Sequence, residues 1–562
     1  MILLLLASTL LFALPQGIET AIKHSGLPKK DISLYIKEAG SSHRVVAALN
    51  ASEPRTPASV IKVLSTYAAV LKLGFDYRWP TQFYRNGRVK NGVLHGDLVV
   101  KGFGDPTLND DDLKEIVAQI KAKGIRKITG NIIIDRSYFK VGNANSAHFD
   151  ENPYSPYNAL PDAMMFNERV STICVVPSKH SVTKKNPDKS YVIHNQLQHV
   201  NKPCRGRYSW PRIKVDDSKA VPEVWLKGKI SNRCRKREIC KVVTQPYKSF
   251  YYGLKAALLD AGIVVSGTMK LQKVPANARI LFTHYSEPLE KIVSKTAKKS
   301  NNLYARHLLL YLGAKVYGAP GTIEKGRRAV LNILQRHGAL GEKRVKLDNG
   351  CGLSRSAKLT AEILAKILDD AYGRYGMRWM QTLAIAGVDG TIKKRFRGTI
   401  VRKRAWMKTG TLKYAKNIAG YVKSRNGRYY TVVILVNTHK GRWKASKLEN
   451  EILKWLVTYK GRGIVIPKKE PVSSPPSVPS AKKVTERGGY FIQAGSFGHV
   501  PSEGFIHQLE QLSLPYHVEH EDVYKVLIGP YQNEEVARKD LKKVRDELNL
   551  GAFLVPDGYT SF

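Results

Sequence analysis

An apolar run between Ser59 and Gly74 constrains the fold of this chain more than any other stretch. Its apolar positions are Val60, Ile61, Val63, Leu64, Ala68, Val70, Leu71 and Leu73. They are too closely spaced for a helix with a broad polar face, so the pattern predicts a helix that is buried nearly all round and ends at the glycine. Ser59 falls in its first turn and shares a face with Lys62, three residues on.

Ser59 and Lys62 are residue types that nucleophilic catalysis uses at this spacing. The Lys62 amine can reach the Ser59 hydroxyl, and burial lowers the pKa of a lysine enough for it to act as a base. Backbone N–H groups and the helix dipole favour negative charge at the first turn. The Ser-x-x-Lys spacing also occurs at Ser137, Ser181 and Ser480, outside any predicted buried helix. A helix that merely contains both residues is therefore the alternative.

The net charge narrows the choice of partners. In a chain of 562 residues, 92 basic and 46 acidic side chains leave a formal charge of +46. Such a charge predicts attraction to polyanions, which include nucleic acid, acidic lipid and acidic cell-wall polymers. The basic residues are spread along the whole chain and no nucleic-acid-binding module is recognisable, so we expect no nucleic-acid partner. A strongly basic proteome would explain the charge equally well.

The first residues indicate export. Residues 1–14 are almost wholly apolar and carry no charge, which is short for a membrane span and typical of the hydrophobic part of a signal peptide. We expect a signal peptide over 1–17, although no basic residue precedes the apolar part. No later stretch is apolar enough to span a bilayer, so the sequence predicts a soluble protein in a periplasm.

The cysteines fit an exported protein. Cys174, Cys204, Cys234 and Cys240 lie close together in the sequence, so one or two disulfides among them are expected in an oxidising compartment, with the pairing left open. We expect Cys351 to stay unpaired. The spacings match no metal site, and we predict neither a metal nor a cofactor.

Two further motifs offer polar groups suited to a hydrolase. Ser300-Asn301-Asn302 places a hydroxyl and an amide side by side near the start of a helix, although Ser424-Arg425-Asn426 repeats the pattern at a hairpin. Lys408-Thr409-Gly410 occurs once, ahead of two strands. Its lysine and threonine can hold a substrate carboxylate, and its glycine lets a substrate backbone approach. A surface lysine before a turn is the alternative.

In this order, Ser-x-x-Lys, Ser-x-Asn and Lys-Thr-Gly are the signature set of penicillin-binding proteins and serine β-lactamases. The first two motifs are 241 residues apart and the last two are 108 apart. This spacing resembles the D-alanyl-D-alanine carboxypeptidase/endopeptidase family of type-4 low-molecular-mass penicillin-binding proteins, which carry domains inserted in the first gap. Residues 101–108, 348–355 and 386–391 resemble that family too. The resemblance covers roughly residues 20–460 and implies an α/β transpeptidase-like domain, related to the serine β-lactamases and interrupted by a large, β-rich inserted region.

The resemblance implies a catalytic role for each motif. Ser59 would attack the penultimate D-alanine carbonyl, and Lys62 would take its proton. Ser300 would relay a proton toward the leaving amine, and water would then hydrolyse the acyl-enzyme. The backbone N–H groups of Ser59 and Thr411 would form the oxyanion hole.

The same resemblance implies the residues that bind the substrate. Asn302 would bind the backbone amide of the donor peptide. Lys408 and Thr409 would hold the terminal carboxylate, with Gly410 beside the substrate backbone. Arg355 matches a family position near the acceptor or the diamino-acid side chain.

The residues from Tyr490 onward predict a strand, helix, strand, strand, helix, strand order, which is a small α+β sandwich. Two segments, YFIQAGSF and VYKVLIGPY, resemble the sporulation-related repeat, or SPOR domain. This RNP-like domain binds glycan strands without stem peptides at division sites. By that resemblance Gln493, Ser496, Lys525 and Leu554 would face the glycan. The alternative is that these residues only edge a sheet.

The resemblances and the composition predict the domain organisation. A Pro- and Ser-rich segment is too poor in large apolar residues to fold, so it is expected to be a linker. The predicted parts are a signal peptide over 1–17, a transpeptidase-like domain over 18–78 and 271–463, inserted domains over 79–270, the linker over 464–488 and a SPOR domain over 489–558.

The sequence therefore predicts a periplasmic, septal D-Ala-D-Ala carboxypeptidase with D,D-endopeptidase activity. Its expected partners are peptidoglycan stem peptides and denuded glycan strands, with β-lactams as covalent inhibitors. A serine β-lactamase would use the same three motifs. A wall-binding scaffold with an inactive hydrolase domain is the third hypothesis.

Overall fold

The structure is a computed structural model that describes residues 14–40, 44–141, 149–340, 345–461, 464–465, 489–497, 501, 503–520, 524–549 and 552–556. The chain divides into two compact units, one up to residue 466 and one after it. Residues 1–13 of the predicted signal peptide and residues 466–488 of the predicted linker lie outside the described residues. The linker prediction began too early, because residues 464–465 form a strand that pairs with Arg44 and Val45.

The first unit is built on a seven-stranded antiparallel sheet. Its central strand Tyr429–Asn437 is buried along most of its length, as its nearly unbroken apolar sequence predicts. The N-terminal strand Ile32–Glu38 pairs with it, so both ends of the unit contribute to one sheet. In spatial order the strands are Ala384–Ile385, Ala405–Leu412, Ala415–Lys423, Tyr429–Asn437, Ile32–Glu38, Arg44–Leu49 and Ile464–Val465.

Helices cover both faces of this sheet. Gln16–Ser25 and Arg442–Thr458 pack on one face. The other face carries the helix predicted from the apolar run, which follows a 3-10 turn at Ala58–Ile61 and spans Lys62–Leu73, with its first nine residues buried. The predicted buried helix and the mixed α/β fold are confirmed. The remaining helices of this layer are Leu289–Lys298, Asn302–Tyr317, Ile323–Arg336 and Ala361–Met380.

The inserted region has two parts, and the first extends further than predicted. The sequence ended the insert at residue 270, but Arg279–Tyr285 pairs with Pro80–Lys90 and extends the sheet to Tyr285. Only one of the seven residues of this edge strand is fully buried, and its apolar run Ile280-Leu281-Phe282 is too short to indicate a strand by itself. The other strands are Val93–Gly102, Lys127–Ile128, Ile132–Asp135, Val264–Val265 and Met269–Leu271, packed against the helices Asp110–Ala122 and Pro246–Asp260.

The second part of the insert consists of two three-stranded sheets. It contains the disulfide Cys204–Cys234, the pairing that the sequence had left open. The other three cysteines of the chain, Cys174, Cys240 and Cys351, are free. The strands are Ser171–Val176, Ser181–Lys184, Val192–Val200, Arg212–Asp216, Glu223–Ser231 and Arg237–Lys241.

The second unit is a four-stranded antiparallel sheet with two helices packed on one face. The element order confirms the predicted strand, helix, strand, strand, helix, strand arrangement. In spatial order the strands are Tyr516–His520, Tyr524–Tyr531, Tyr490–Phe497 and Phe553–Pro556, and the helices are Glu503–Gln511 and Glu534–Glu547. Across the described parts of both units, no helix is long and apolar enough to cross a membrane. Among the same described residues, no cluster of His, Cys, Asp or Glu side chains is placed to hold a metal ion.

Candidate active site

Ser59 lies in a tightly packed turn. Ala58 before it has a φ of 49°, a left-handed conformation that costs a residue with a Cβ on the order of 1 kcal/mol and must be held by its surroundings. Two glycines allow this packing, since a Cβ on Gly352 would lie 2.0 Å from the Ala58 carbonyl oxygen and one on Gly410 would lie 3.0 Å from the Ser59 nitrogen. The backbone on both sides therefore clamps the Ala58–Ser59 peptide.

The Lys62 amine contacts three acceptors. Its Nζ lies 2.8 Å from the Ser59 Oγ and 2.7 Å from the Asn302 Oδ1, and it also donates to the carbonyl oxygen of Cys351. The side chain is fully buried, and burial lowers the pKa of Lys62 to about 8. At this pKa about a tenth of the amine is neutral at pH 7, so Lys62 can accept the proton of Ser59.

The inserted region holds the Ser-x-Asn motif in place. Asn302 directs its side-chain oxygen to Lys62 and donates through its Nδ2 to the carbonyl oxygen of Tyr157 at 3.0 Å. Asn301 donates to the carboxylate of Glu168 at 2.8 Å. Both partners belong to the insert, so this region contributes to the geometry of the site.

Lys408 lies within hydrogen-bond distance of the second motif. Its Nζ donates to the Ser300 Oγ at 2.9 Å and to the Thr409 carbonyl oxygen at 2.7 Å. Burial, followed by the positive charge of Lys62, lowers the pKa of Lys408 well below its ordinary value. No carboxylate among the described residues stabilises the charge of either lysine. Two buried amines without a counter-ion form a site suited to an anion.

One cavity of about 920 Å³ is lined by Ser59, Ser300 and Asn302, the side chains that the two lysines contact. Arg355 lines it and donates to the carbonyl oxygen of Phe149, in the insert, at 3.0 Å. The Thr409 hydroxyl lies 2.8 Å from that of Thr391. All nine residues predicted for catalysis and substrate binding are at or beside the cavity: Ser59, Lys62, Ser300, Asn302, Arg355, Lys408, Thr409, Gly410 and Thr411.

Two asparagines fix the segment before Ser59, and neither was predicted. The buried Asn417 donates to the carbonyl oxygens of Thr56 at 3.0 Å and Pro57 at 2.8 Å. Asn437 accepts from the Thr56 N–H at 2.7 Å. The available signal was a single amide in the apolar strand Ala415–Lys423, because a buried polar side chain needs partners.

In the second unit, three of the four predicted glycan-facing residues share one face of the sheet. Gln493 pairs with Leu527, and Ser496 pairs with Lys525, on the face opposite the two helices. Leu554 pairs with Ile492 and packs against the core on the helix-covered face. Its predicted orientation is therefore wrong, because a one-residue offset along a strand reverses the face. The neighbouring Phe553, which pairs with Gln493 and is 45% exposed, lies on the open face.

Comparison with known proteins decides the family. Residues 14–459 match the profile of the D-Ala-D-Ala carboxypeptidase 3 (S13) family. The chain belongs to this family. The protein is thus a serine-type D-Ala-D-Ala carboxypeptidase, an enzyme of peptidoglycan, which confirms the predicted activity. Residues 486–556 match the SPOR domain, which confirms the second resemblance.

The chain is similar to known carboxypeptidases over most of its length and most of theirs. It is 27% identical over 430 residues to the D-alanyl-D-alanine carboxypeptidase DacB of Haemophilus influenzae, over 73% of this chain and 86% of that protein. It is 27% identical over 405 residues to the D-alanyl-D-alanine carboxypeptidase of an Actinomadura species, over 69% and 74% of the two chains. The crystal structure of penicillin binding protein 4 (dacB) from H. influenzae has the same fold, with a TM-score of 0.67 and 24% identity over 79% of this chain and 99% of that one.

Proposed function

We propose that this carboxypeptidase cleaves stem peptides through an acyl-enzyme at Ser59. The observation that carries the proposal is the pair of buried amines, Lys62 and Lys408, which flank the Ser59 and Ser300 hydroxyls. Within the described part of the chain, neither amine has a carboxylate partner. Lys62 suits the role of base, and the terminal carboxylate of a substrate would supply the anion that Lys408 lacks.

The proposed reaction has two steps. In the first, the Ser59 Oγ bonds to the penultimate D-alanine carbonyl while Lys62 takes its proton. The C–N bond then breaks, and the proton held by Lys62 passes through Ser300, whose hydroxyl contacts Lys408, to the amine of the terminal D-alanine, which leaves. In the second, water gives a proton to Lys62 and attacks the ester carbonyl. The bond to the Ser59 Oγ breaks, Ser59 regains the proton from Lys62, and the shortened peptide leaves as a carboxylic acid. The backbone N–H groups of Ser59 and Thr411 suit the oxyanion, since Gly410, directly before Thr411, lies against the Ser59 nitrogen.

We propose roles in recognition for the other predicted residues. Asn302 has its oxygen on Lys62, beside the expected path of the donor peptide. Arg355 lines the same cavity, where its guanidinium would contact the acceptor or the diamino-acid side chain of the substrate. The cavity has space for more than a terminal dipeptide, which supports D,D-endopeptidase activity on crosslinks.

We propose that the SPOR domain carries the enzyme to septal glycan in the periplasm. Gln493, Ser496 and Lys525 lie together on its open sheet face, where a denuded glycan strand would bind. We also propose that the insert divides the transpeptidase-like domain into two parts, as predicted, with the insert ending at Tyr285 and not at residue 270.

A fluorescent penicillin tests the mechanism. We expect one covalent label in the purified full chain, on the tryptic peptide that contains Ser59, and no label in Ser59→Ala. A pentapeptide ending in D-Ala-D-Ala should lose one D-alanine. Fast decay of the label with no D-alanine release would indicate a β-lactamase instead, and a folded protein with neither reaction would indicate a binding scaffold.

A further inference from the structure

A long basic stretch surrounds one end of the catalytic cavity. Residues 390–448 contain 17 Lys or Arg residues and no Asp or Glu. Some of these cations are buried, such as Lys408, but Lys413 and Arg442 are exposed and line the cavity. The charge at this end is therefore suited to a substrate that carries carboxylates beyond the one that is cut.

Aromatic side chains lie beside these cations. Tyr414 is 45% exposed and its ring lies 4.1 Å from that of His439, and both residues line the same cavity as Ser59. We call the four cavity-lining residues Lys413, Tyr414, His439 and Arg442 the aromatic rim. An exposed aromatic group that continues a catalytic cavity indicates a binding surface.

Backbone hydrogen bonds hold the aromatic rim in place. The turn that carries Lys413 and Tyr414 joins Ala405–Leu412 to Ala415–Lys423. The Thr438 N–H donates to the Tyr414 carbonyl oxygen at 2.9 Å, so the segment that carries His439 is fixed to the turn. The rim is thus a formed surface at the turn that directly follows the strand with the Lys-Thr-Gly motif.

The strand geometry gives the direction in which a substrate would leave the cavity. Ala384–Ile385 covers the edge of strand Ala405–Leu412 only at Trp406 and Met407, which leaves the edge from Lys408 onward open for an added strand. A peptide that pairs antiparallel there, with its terminal carboxylate at Lys408, runs with its N-terminus toward Leu412 and the aromatic rim. An extended chain advances roughly 3.3 Å per residue on both sides of such a pair. The N-terminal end of a stem peptide would therefore reach Tyr414.

We propose that the aromatic rim binds the amino sugar to which the cleaved stem peptide is attached. In peptidoglycan the N-terminus of a stem peptide is joined to the lactyl group of muramic acid, so the sugar follows the peptide out of the cavity. The C–H face of a sugar ring packs on aromatic rings, and the cations of the rim match the peptide carboxylates. This inference rests on the proposed function and names its substrate as glycan-linked peptide.

Paired soluble substrates test the rim. The same pentapeptide is supplied free and as its N-acetylglucosamine–N-acetylmuramic acid conjugate, and the ratio of kcat/KM for the conjugate to that for the free peptide is measured. We expect the ratio to exceed one in the full chain and to fall about fivefold in Tyr414→Ala, the loss expected for one aromatic contact. Tyr414→Phe should keep most of the ratio. Trp210→Ala, which removes a tryptophan that is 54% exposed in the insert, should not change it.

Each result has a defined meaning. A ratio near one in the wild type, or an unchanged ratio in Tyr414→Ala, would overturn the inference. If kcat/KM fell equally for both substrates in Tyr414→Ala, the rim would bind the peptide and not the sugar, and the inference would be wrong. Penicillin labelling at Ser59 confirms that each variant is folded. Absence of labelling and of D-alanine release in the wild type would refute the proposed function itself.

Discussion

The side-chain amide of Asn417 donates a 2.8 Å hydrogen bond to the carbonyl oxygen of Pro57, two residues before Ser59. Asn417 is fully buried, and its oxygen accepts from the Val436 N–H at 2.9 Å. Asn417 thus connects the central sheet to the turn that carries the proposed nucleophile, so the position of Ser59 depends on this amide.

We expect Asn417→Leu to lower both stability and acylation. The change leaves buried backbone groups without partners, which costs about 1 to 3 kcal/mol for each group in the free energy of unfolding. Denaturant unfolding and the rate of penicillin acylation measure the two effects. Asn426→Ala is the control, because Asn426 lies at an exposed hairpin and should leave acylation unchanged. Equal acylation rates in both variants would contradict the positioning role.

Acylation should depend on pH through Lys62. Burial lowers its pKa to about 8, and only the neutral amine accepts a proton, so the acylation rate should rise with pH and level off above about 8, falling about tenfold per pH unit well below it. The second-order rate constant with a penicillin from pH 6 to 9.5 gives the profile. Lys62→Met should lose about 100-fold or more at the plateau. A flat wild-type profile would argue against Lys62 as the base.

The insert should influence acylation from outside the transpeptidase-like domain. Glu168 accepts from Asn301 at 2.8 Å and pairs with Lys295 at 2.6 Å, and it lies in a left-handed turn with a φ of 53°. Glu168→Ala should lower the acylation rate by at most about fivefold, since a partly exposed pair contributes up to about 1 kcal/mol. Glu238→Ala, at an exposed ion pair elsewhere in the insert, is the matched control. Equal effects of the two changes would exclude this role.

Local sequence patterns predicted the residues at the centre of the site. They did not predict the contacts between segments that are distant in the sequence. The buried helix after Ser59 follows from apolar spacing alone, and Ser-x-x-Lys places Ser59 and Lys62 on one face. The contact between Asn301 and Glu168 joins residues 133 positions apart, and neither residue has a local pattern that indicates the other. The orientation of Leu554 was predicted wrongly because strand register, and not residue type, sets the face.

We expect the protein to contain one disulfide, between two cysteines that are close in the sequence. Cys204 and Cys234 close a loop with a sequence separation of 30 residues, which stabilises the second part of the insert by about 3 to 4 kcal/mol in the chain-entropy estimate. Alkylation under denaturing, non-reducing conditions should modify three cysteines: Cys174, Cys240 and Cys351. Mass spectrometry counts them, and reduction should raise the count to five. A single modified cysteine before reduction would indicate a second disulfide.

Glycan binding by the SPOR domain should follow the face of the sheet. Gln493, Ser496 and Lys525 lie on the open face, so Gln493→Ala should reduce co-sedimentation of the full chain with sacculi stripped of stem peptides. Leu554 is partly buried and packs against the core, so Leu554→Ala should instead lower the free energy of unfolding by about 1 to 2 kcal/mol. Phe553→Ala removes a side chain that is 45% exposed beside Gln493 and should weaken binding without that loss of stability. If Leu554→Ala alone reduced binding while stability was kept, the glycan would bind the helix-covered face, and the assignment of the open face would be wrong.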